Sequence, residues 1–346
     1  MSLINTRIQN IIATGNLDKY ERRPSAYGAL DTFIKQTDGA GSIITSDLKE
    51  KALRAVNTPL EVPVIAYDGD VTIGNVLSAV IDDDENTSAK VQIVFATYAW
   101  GFTVVPSLFM NNEIKIQEDF AAKFQKYLYK FAGTLEGAAV AALAAAKTQV
   151  VKDPLIYTPT ANVVEATWDQ RETVIGDLDP MMFANDYFGA IDLIGNTGIQ
   201  SIVNKLAQFG VYNEQNKRME YAGKELHWSN FIANGTGKFG TGYAVQQNSI
   251  GMLTRFEREA MLRTKARTGH EWDIEVLPML NIPVGTYYYE SVGDFSAIAG
   301  ASSSDMKRVM KEHYGFAVDV AFVTPYNSAP ATLASPILAF NVAKKV

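Results

Sequence analysis

The clearest pattern along the chain is a set of apolar residues at three- and four-residue steps: Ile116, Phe120, Phe124, Leu128, Phe131, Leu135, Ala139, Ala142, Ala146 and Val150. That spacing places them on one face of an α-helix. A helix from Lys115 to Gln149 would be ~50 Å long at 1.5 Å per residue. Asp153-Pro154 ends it, because proline has no amide hydrogen and its ring clashes with a continuing turn. Ala138 to Ala146 is nearly all small, so a neighbouring backbone can approach that end closely. Gly133 and Gly137 have the spacing of close helix packing, and the flanking charges make it packing in water rather than in a membrane. A second amphipathic helix is expected with Asn196 or Thr197 as its cap, Ile199, Ile202, Val203 and Leu206 as its stripe and Gly210 as its stop. A third is expected over Ser249–Arg267, with Met252, Leu253, Phe256 and Ala260 inside and the Arg255/Glu259 and Glu259/Arg263 pairs on the wet face.

Period-two patterns supply the strands. From Pro59 to Ile81 and from Ala89 to Val105 β-branched and aromatic residues dominate, and Val91, Ile93, Phe95 and Thr97 share one face. Asp82-Asp83-Asp84-Glu85-Asn86, between them, reads as the solvated tip of a long hairpin. Further strands are expected at Ile156–Thr167, Glu172–Ile175, Trp272–Leu277, Thr286–Val292 and Phe316–Val323. Residues 1–57, with Arg22, Arg23, Pro24 and the stretch Gly39 to Gly41, hold only short helical pieces and read as an arm lying on another surface. One long helix on long strands, with a helix-containing lobe inserted before the chain returns, is an α+β pattern. The absence of regular strand–helix alternation counts against a Rossmann or barrel fold.

Composition narrows the function classes. The 346 residues leave room for two domains or one elaborate domain with inserted lobes. With 47% hydrophobic and 20% charged residues the chain is globular, which excludes wholesale disorder and collagen or coiled-coil architectures. Its 31 basic residues against 38 acidic ones argue against sequence-independent nucleic-acid binding, which needs a basic footprint on the phosphates. Zero Cys removes disulfides, Cys-ligated zinc, iron–sulfur clusters and thiol nucleophiles. No uninterrupted apolar run reaches the roughly 18 residues that span a bilayer. The opening MSLINTRIQN lacks the features of a signal peptide, so cytosolic synthesis is expected and the sequons at Asn86 and Asn234 carry no weight.

The candidate chemistry is sparse. Gly235-Thr236-Gly237-Lys238-Phe239-Gly240 fits the dinucleotide spacing, but Thr241-Gly242-Tyr243-Ala244-Val245 follows, which favours extended chain over the helix such a loop needs. The acidic run at Asp82 lacks the glycine and spaced ligands of a calcium loop. His227, His270 and His313 are evenly spaced, yet the residues after them do not match as a repeat and none has a local metal partner. No nucleophile elbow occurs. No catalytic, cofactor-binding or metal residue is therefore assigned, no cofactor is expected, and a non-enzymatic role is the expectation.

The order of these elements resembles the major capsid proteins of tailed bacteriophages, the Hong Kong 97 type fold. The resemblance runs from about residue 55 onward. It rests on the step Val104-Val105-Pro106-Ser107-Leu108 before the long helix EDFAAKFQKYLYKFAGTLEGAAVAALAAAK, and on Gly293-Asp294-Phe295-Ser296 late in the chain. The third match is the close, FAVDVAFVT followed by PILAFNVAKK, with Ala339-Phe340. It implies an N-terminal arm at 1–57, an extended loop and return strand at 58–110, a peripheral domain with spine helix at 111–180 and 311–346, and an axial domain at 181–310. It further implies a structural protein that self-assembles, as hexamers and pentamers, into an icosahedral shell around double-stranded DNA in the virion, after synthesis in the host bacterial cytoplasm. A portal and a separate scaffolding protein are implied partners, with only weak non-specific contact to DNA and no membrane. Lys90 lies near the hairpin tip, but no asparagine can be assigned as a cross-linking partner. An encapsulin-like nanocompartment shell or a phage tail subunit is the alternative, and the long helix counts against a tail tube. Val91, Ile93, Phe95, Trp100 and Phe102 are expected to be buried against neighbouring copies, in interfaces of at least ~2,000 Å².

Overall fold

A computed structural model describes residues 3–13, 27–54, 60–65, 88–106, 116–206, 212–213, 218–221, 224–256, 269–278, 280–294 and 308–345. Three helices open the chain: α1 (Leu3–Ala13), α2 (Gly28–Thr37) and α3 (Ser46–Arg54). Strands β1 (Leu60–Ile65), β2 (Ser88–Ile93) and β3 (Ala96–Val104) follow, then the long helix α4 (Ile116–Ala146). Next come β4 (Thr158–Thr160), β5 (Val163–Ala166), α5 (Thr173–Ala184), β6 (Ile191–Gly195) and α6 (Thr197–Leu206). The chain continues through β7 (Tyr212–Asn213), β8 (Arg218–Tyr221), β9 (Lys224–Trp228), β10 (Lys238–Gln246) and β11 (Gly251–Arg255). It closes with β12 (His270–Leu277), β13 (Ile282–Asp294), β14 (Arg308–Val323) and β15 (Ile337–Ala343). The fold class is α+β, as expected. No helix among the described residues is long and apolar enough to cross a membrane.

Two sheets organise the molecule. In the first, β14 is the axis, with β13 and β11 along one side, β12 beyond β13, and β3 on the other side. The second has the order β4-β5-β15-β10-β6-β9-β8-β7 and contains two parallel pairs, β15 with β5 and β6 with β9. Helix α4 lies on the first sheet through an aromatic layer. Trp100 and Phe316 stack with centroids 4.0 Å apart, Phe120 meets Tyr314 edge-on at 4.8 Å, and Phe124 tilts onto Phe316 at 5.6 Å. The buried residues of α4 include Phe120, Phe124, Leu128, Phe131, Leu135 and Ala139 from the stripe read from the sequence. The helix ends at Ala146, short of the expected Gln149 and of the Asp153-Pro154 stop, because Ser335 Oγ donates to the Ala146 carbonyl and the Thr148 amide turns to the Ile337 carbonyl. A second core under α5 and α6 covers one face of the eight-stranded sheet, and a third, small one joins α3 to Leu60, Leu253, Ala321 and Val323.

Several expectations change. Residues 251–255 of the expected third helix form β11, because Met252 and Leu253 are buried on opposite strand faces between β14 and the α3 core, and a short run apolar on both faces mimics a helical stripe. Residues 257–268 lie outside the described residues. Glu172–Ile175 is no strand but the cap and first turn of α5; Val174, Ile175, Leu178, Met181 and Met182 recur at helical steps and are all buried, which overrides the β-branched start. Ile156–Thr167 is split into β4 and β5 by a turn in which Ala161 and Asn162 adopt φ of 49° and 64°. The strands expected at Thr286–Val292 and Phe316–Val323 lie within the longer β13 and β14.

The opening segment also differs from an arm on a foreign surface. Ile4, Ile8 and Ile11 are at most 1% exposed in this chain's own main core. Arg7 is held by an ion pair to Glu312 at 2.9 Å and lies over the rings of Phe120 and Tyr314. Arg22, Arg23, Gly210, the acidic hairpin tip and residues 295–296 lie outside the described residues.

Candidate functional site

Glu136 makes the first notable constellation. It sits on the apolar face of α4, 0% exposed, and its two carboxylate oxygens accept the backbone N–H groups of Ala29 (3.0 Å) and Leu30 (2.7 Å). Those are first-turn amides of α2, which have no partner inside their own helix. Desolvation raises the pKa of Glu136, against the opposing hydrogen bonds from Ser229 and the two amides. At the same point Gly28 is pressed on Trp228, so that a Cβ there would overlap the Trp228 backbone. From this anchor α2 reaches both sheets: Phe33 packs edge-on to Phe322 at 5.0 Å, Gln36 bonds Asp192 of β6 and the Ile250 amide, and Lys35 pairs with Glu225 of β9. One short helix therefore ties α4, the first sheet and the second sheet together.

Above α4 lies an open groove of about 1260 Å³, lined by Tyr27, Lys126, Tyr127, Lys130, Gly133, Gly137, Trp228 and Phe231. The Gly133/Gly137 pair expected to admit close packing does so here, but for a side chain; a Cβ at Gly133 would lie 3.1 Å from the Phe231 ring. On the far face of the first sheet His270, Tyr289, His313 and Thr103 form one row across four strands. Tyr289 stacks on both imidazoles, at 5.3 and 4.4 Å. His313 bonds Thr103 Oγ1 through Nδ1 (3.0 Å) and Ser291 Oγ through Nε2 (2.7 Å), and burial, with Lys311 adding to it, lowers its pKa. Among the described residues this is the nearest arrangement to a nucleophile and base. It lies on an open sheet face, and a threonine hydroxyl occupies the place where a carboxylate would orient the ring.

A separate two-stranded ribbon is formed by β1 paired to β2, in the register Leu60↔Ile93 to Ile65↔Ser88. Ile93 and Phe95 are half-covered by the small core at α3, and Val94 is 76% exposed. The two faces of β3 go to different cores: Tyr98, Trp100, Phe102 and Val104 turn toward α4, while Thr97 lies on the face of Phe95, its hydroxyl bonding Asp319, whose partner Arg255 lies over the Phe95 ring. Thr97 thus continues the face of Ile93 and Phe95, and Trp100 and Phe102 are covered by α4 of the same chain rather than by another copy. Other apolar groups remain exposed in separate places: Val292 beside Met310 on paired strands, Phe183 against Phe188 (4.6 Å, each 61% exposed), and Ile156.

Gly235–Gly240 leads into β10, not into a helix, so the dinucleotide spacing is a turn before a strand. Asn196 caps α6 as expected, its Oδ1 accepting the amides of Gly198 (3.1 Å) and Ile199 (3.3 Å). Glu136 escaped the sequence reading, although its signal is present: an acidic residue four positions after Ala132 and three before Ala139, on the buried stripe, must have a partner.

No family model matches the chain, and no curated protein does. Solved structures similar to it include the capsid of the cyanophage P-SCSP1u, at 11% identity and TM-score 0.44 over 82% of this chain and 83% of that one. The mature capsid of bacteriophage PhiM1 is similar at 9% identity and TM-score 0.44, over 83% of each chain. The capsid of Ralstonia phage GP4 is similar at 8% identity and TM-score 0.42, over 83% of this chain and 84% of that one. All three are phage capsid structures, the class the sequence resembles.

Proposed function

We propose that this chain is a phage major capsid protein, a structural subunit that joins copies of itself into an icosahedral shell around double-stranded DNA in the virion. The observation that carries the reading is the combination of a two-stranded ribbon outside both larger sheets with apolar pairs exposed in separate places. An isolated two-stranded ribbon is marginal in water and its edges are open. Single exposed apolar side chains are ordinary, but the adjacent exposed pairs Val292/Met310 and Phe183/Phe188 are contiguous apolar surface that a subunit meeting several neighbours covers. In this reading α4 is the spine, residues 1–57 the arm and 58–110 the extended loop. The peripheral and axial lobes are drawn at the two sheets rather than at residue 310, since β12 and β13 pair with β14. The further partners proposed are a separate scaffolding protein, a portal, and DNA touched weakly by an acidic wall.

The ribbon provides the test. Because Ile65 and Ser88 are register partners, residues 66–87 can be replaced by Asn-Gly, a two-residue hairpin turn. The shortened protein should fold, by circular dichroism and a cooperative melt, and should fail to form particles under conditions where the full chain does. Normal particles from the shortened chain would show that the ribbon's extension is not an assembly element.

A further inference from the structure

Asp192 on β6 and Glu225 and His227 on the parallel neighbour β9 point into one space beneath α2. One donor atom from each lies within 4.8 Å of the others. Asp192 is 1% exposed and His227 5%. The Asp192 carboxylate is held by Gln36 Nε2 on Oδ2 and Gln247 Nε2 on Oδ1, each at 2.8 Å, and both oxygens keep lone pairs. His227 Nε2 faces Glu225 Oε2 across 3.8 Å and has no hydrogen-bond partner. A ring nitrogen buried in this way and aimed at carboxylates is costly unless a proton or a cation fills the gap. Its other nitrogen, Nδ1, is 3.5 Å from Asp31 Oδ2 on α2.

We propose that Asp192, Glu225 and His227 bind a divalent transition-metal cation, zinc or manganese, through two carboxylate oxygens and Nε2. A mixed nitrogen and carboxylate set favours these ions over calcium or magnesium, whose ligands are oxygen. Asp31 takes the position of the outer carboxylate that fixes a ligating histidine through its second ring nitrogen. Donors ~2.1 Å from a tetrahedral ion lie ~3.4 Å apart, so side chains now within 4.8 Å of one another close by up to ~1.4 Å on binding. Lys35, on Glu225 in this structure, gives way to the ion. Its side chain is 36% exposed and that of Glu225 24%, which leaves a path from solvent. The bound ion joins β6 to β9, with α2 tied to it only through Asp31 behind His227, a role independent of shell formation.

Calorimetric titration of the purified full-length subunit with zinc and manganese chlorides, paired with thermal unfolding, tests the proposal. One ion should bind per chain and raise the unfolding midpoint. His227→Gln should abolish that binding, and Asp31→Asn should weaken it about 10- to 100-fold. Lys35→Met, which removes a competing ammonium from a half-exposed position, should tighten it. Should His227→Gln not fold, the opposite shifts of Lys35→Met and Asp31→Asn decide. Uptake of neither ion by the wild type, or affinities unchanged in the variants that fold, would overturn the site.

Discussion

Inside the apolar stripe of α4, Glu136 exchanges hydration for two amide hydrogen bonds, and the stability of α2 depends on that exchange. Removing the carboxylate leaves the amides of Ala29 and Leu30 buried without acceptors, at about 1–3 kcal/mol each. Glu136→Ala should therefore lower unfolding stability by roughly 2–6 kcal/mol, and Glu136→Gln, which keeps one acceptor oxygen, by less. Denaturant unfolding of the unassembled subunit measures both, and an alanine variant within error of wild type would remove Glu136 from this role. His313 makes the complementary case for pH. Its folded pKa lies below the ordinary ~6.5, because burial and Lys311 disfavour the imidazolium. Neutral His313 therefore contributes stability that is present above the unfolded value and is lost as pH falls through the depressed folded value. Between about pH 7 and pH 5 the wild type should lose stability more steeply than His313→Gln, and equal slopes would contradict the account.

At the level of elements, helix α4 was legible, because a strict three- and four-residue stripe has few competing explanations. Its end at Ala146 was not, since tertiary bonds from the β15 segment end it before Asp153-Pro154. The aromatic layer sets its energetic weight. Phe124 is 0% exposed and touches Trp100, Phe120 and Phe316, so Phe124→Ala should cost about 3–5 kcal/mol in unfolding free energy. A loss below 1 kcal/mol would show that the layer repacks around the missing ring. Elements whose burial comes from both sides were not legible. Strand β11 resembled a helix because tertiary packing covers both of its faces, and the start of α5 resembled a strand because Thr173, Val174 and Ile175 are β-branched. The cover over Trp100 and Phe102 was hidden for another reason: alternation runs unbroken through Phe95 and Thr97, and only the switch of partner from β1 to β14 brings the opposite face under α4. The Asp192, Glu225 and His227 cluster had no local motif at all. Its residues come from two strands that are adjacent in the sheet but separated by α6 along the chain.

For the whole molecule, two sheets, a spine and a ribbon form a body whose own core already includes the opening helix α1 and whose uncovered apolar groups are dispersed rather than gathered in one cleft. Such a distribution suits repeated contacts with several copies. The acidic balance, 38 against 31 charges per subunit, opposes close approach within a Debye length of ~10 Å at 0.1 M salt, so apolar contacts must supply the net attraction. The most direct measurement is negative-stain electron microscopy of the purified full-length protein, alone and in moderate salt, without nucleic acid. The account predicts closed, isometric shells of uniform diameter. Open tubes, or a monomer that never assembles in any salt, would contradict it.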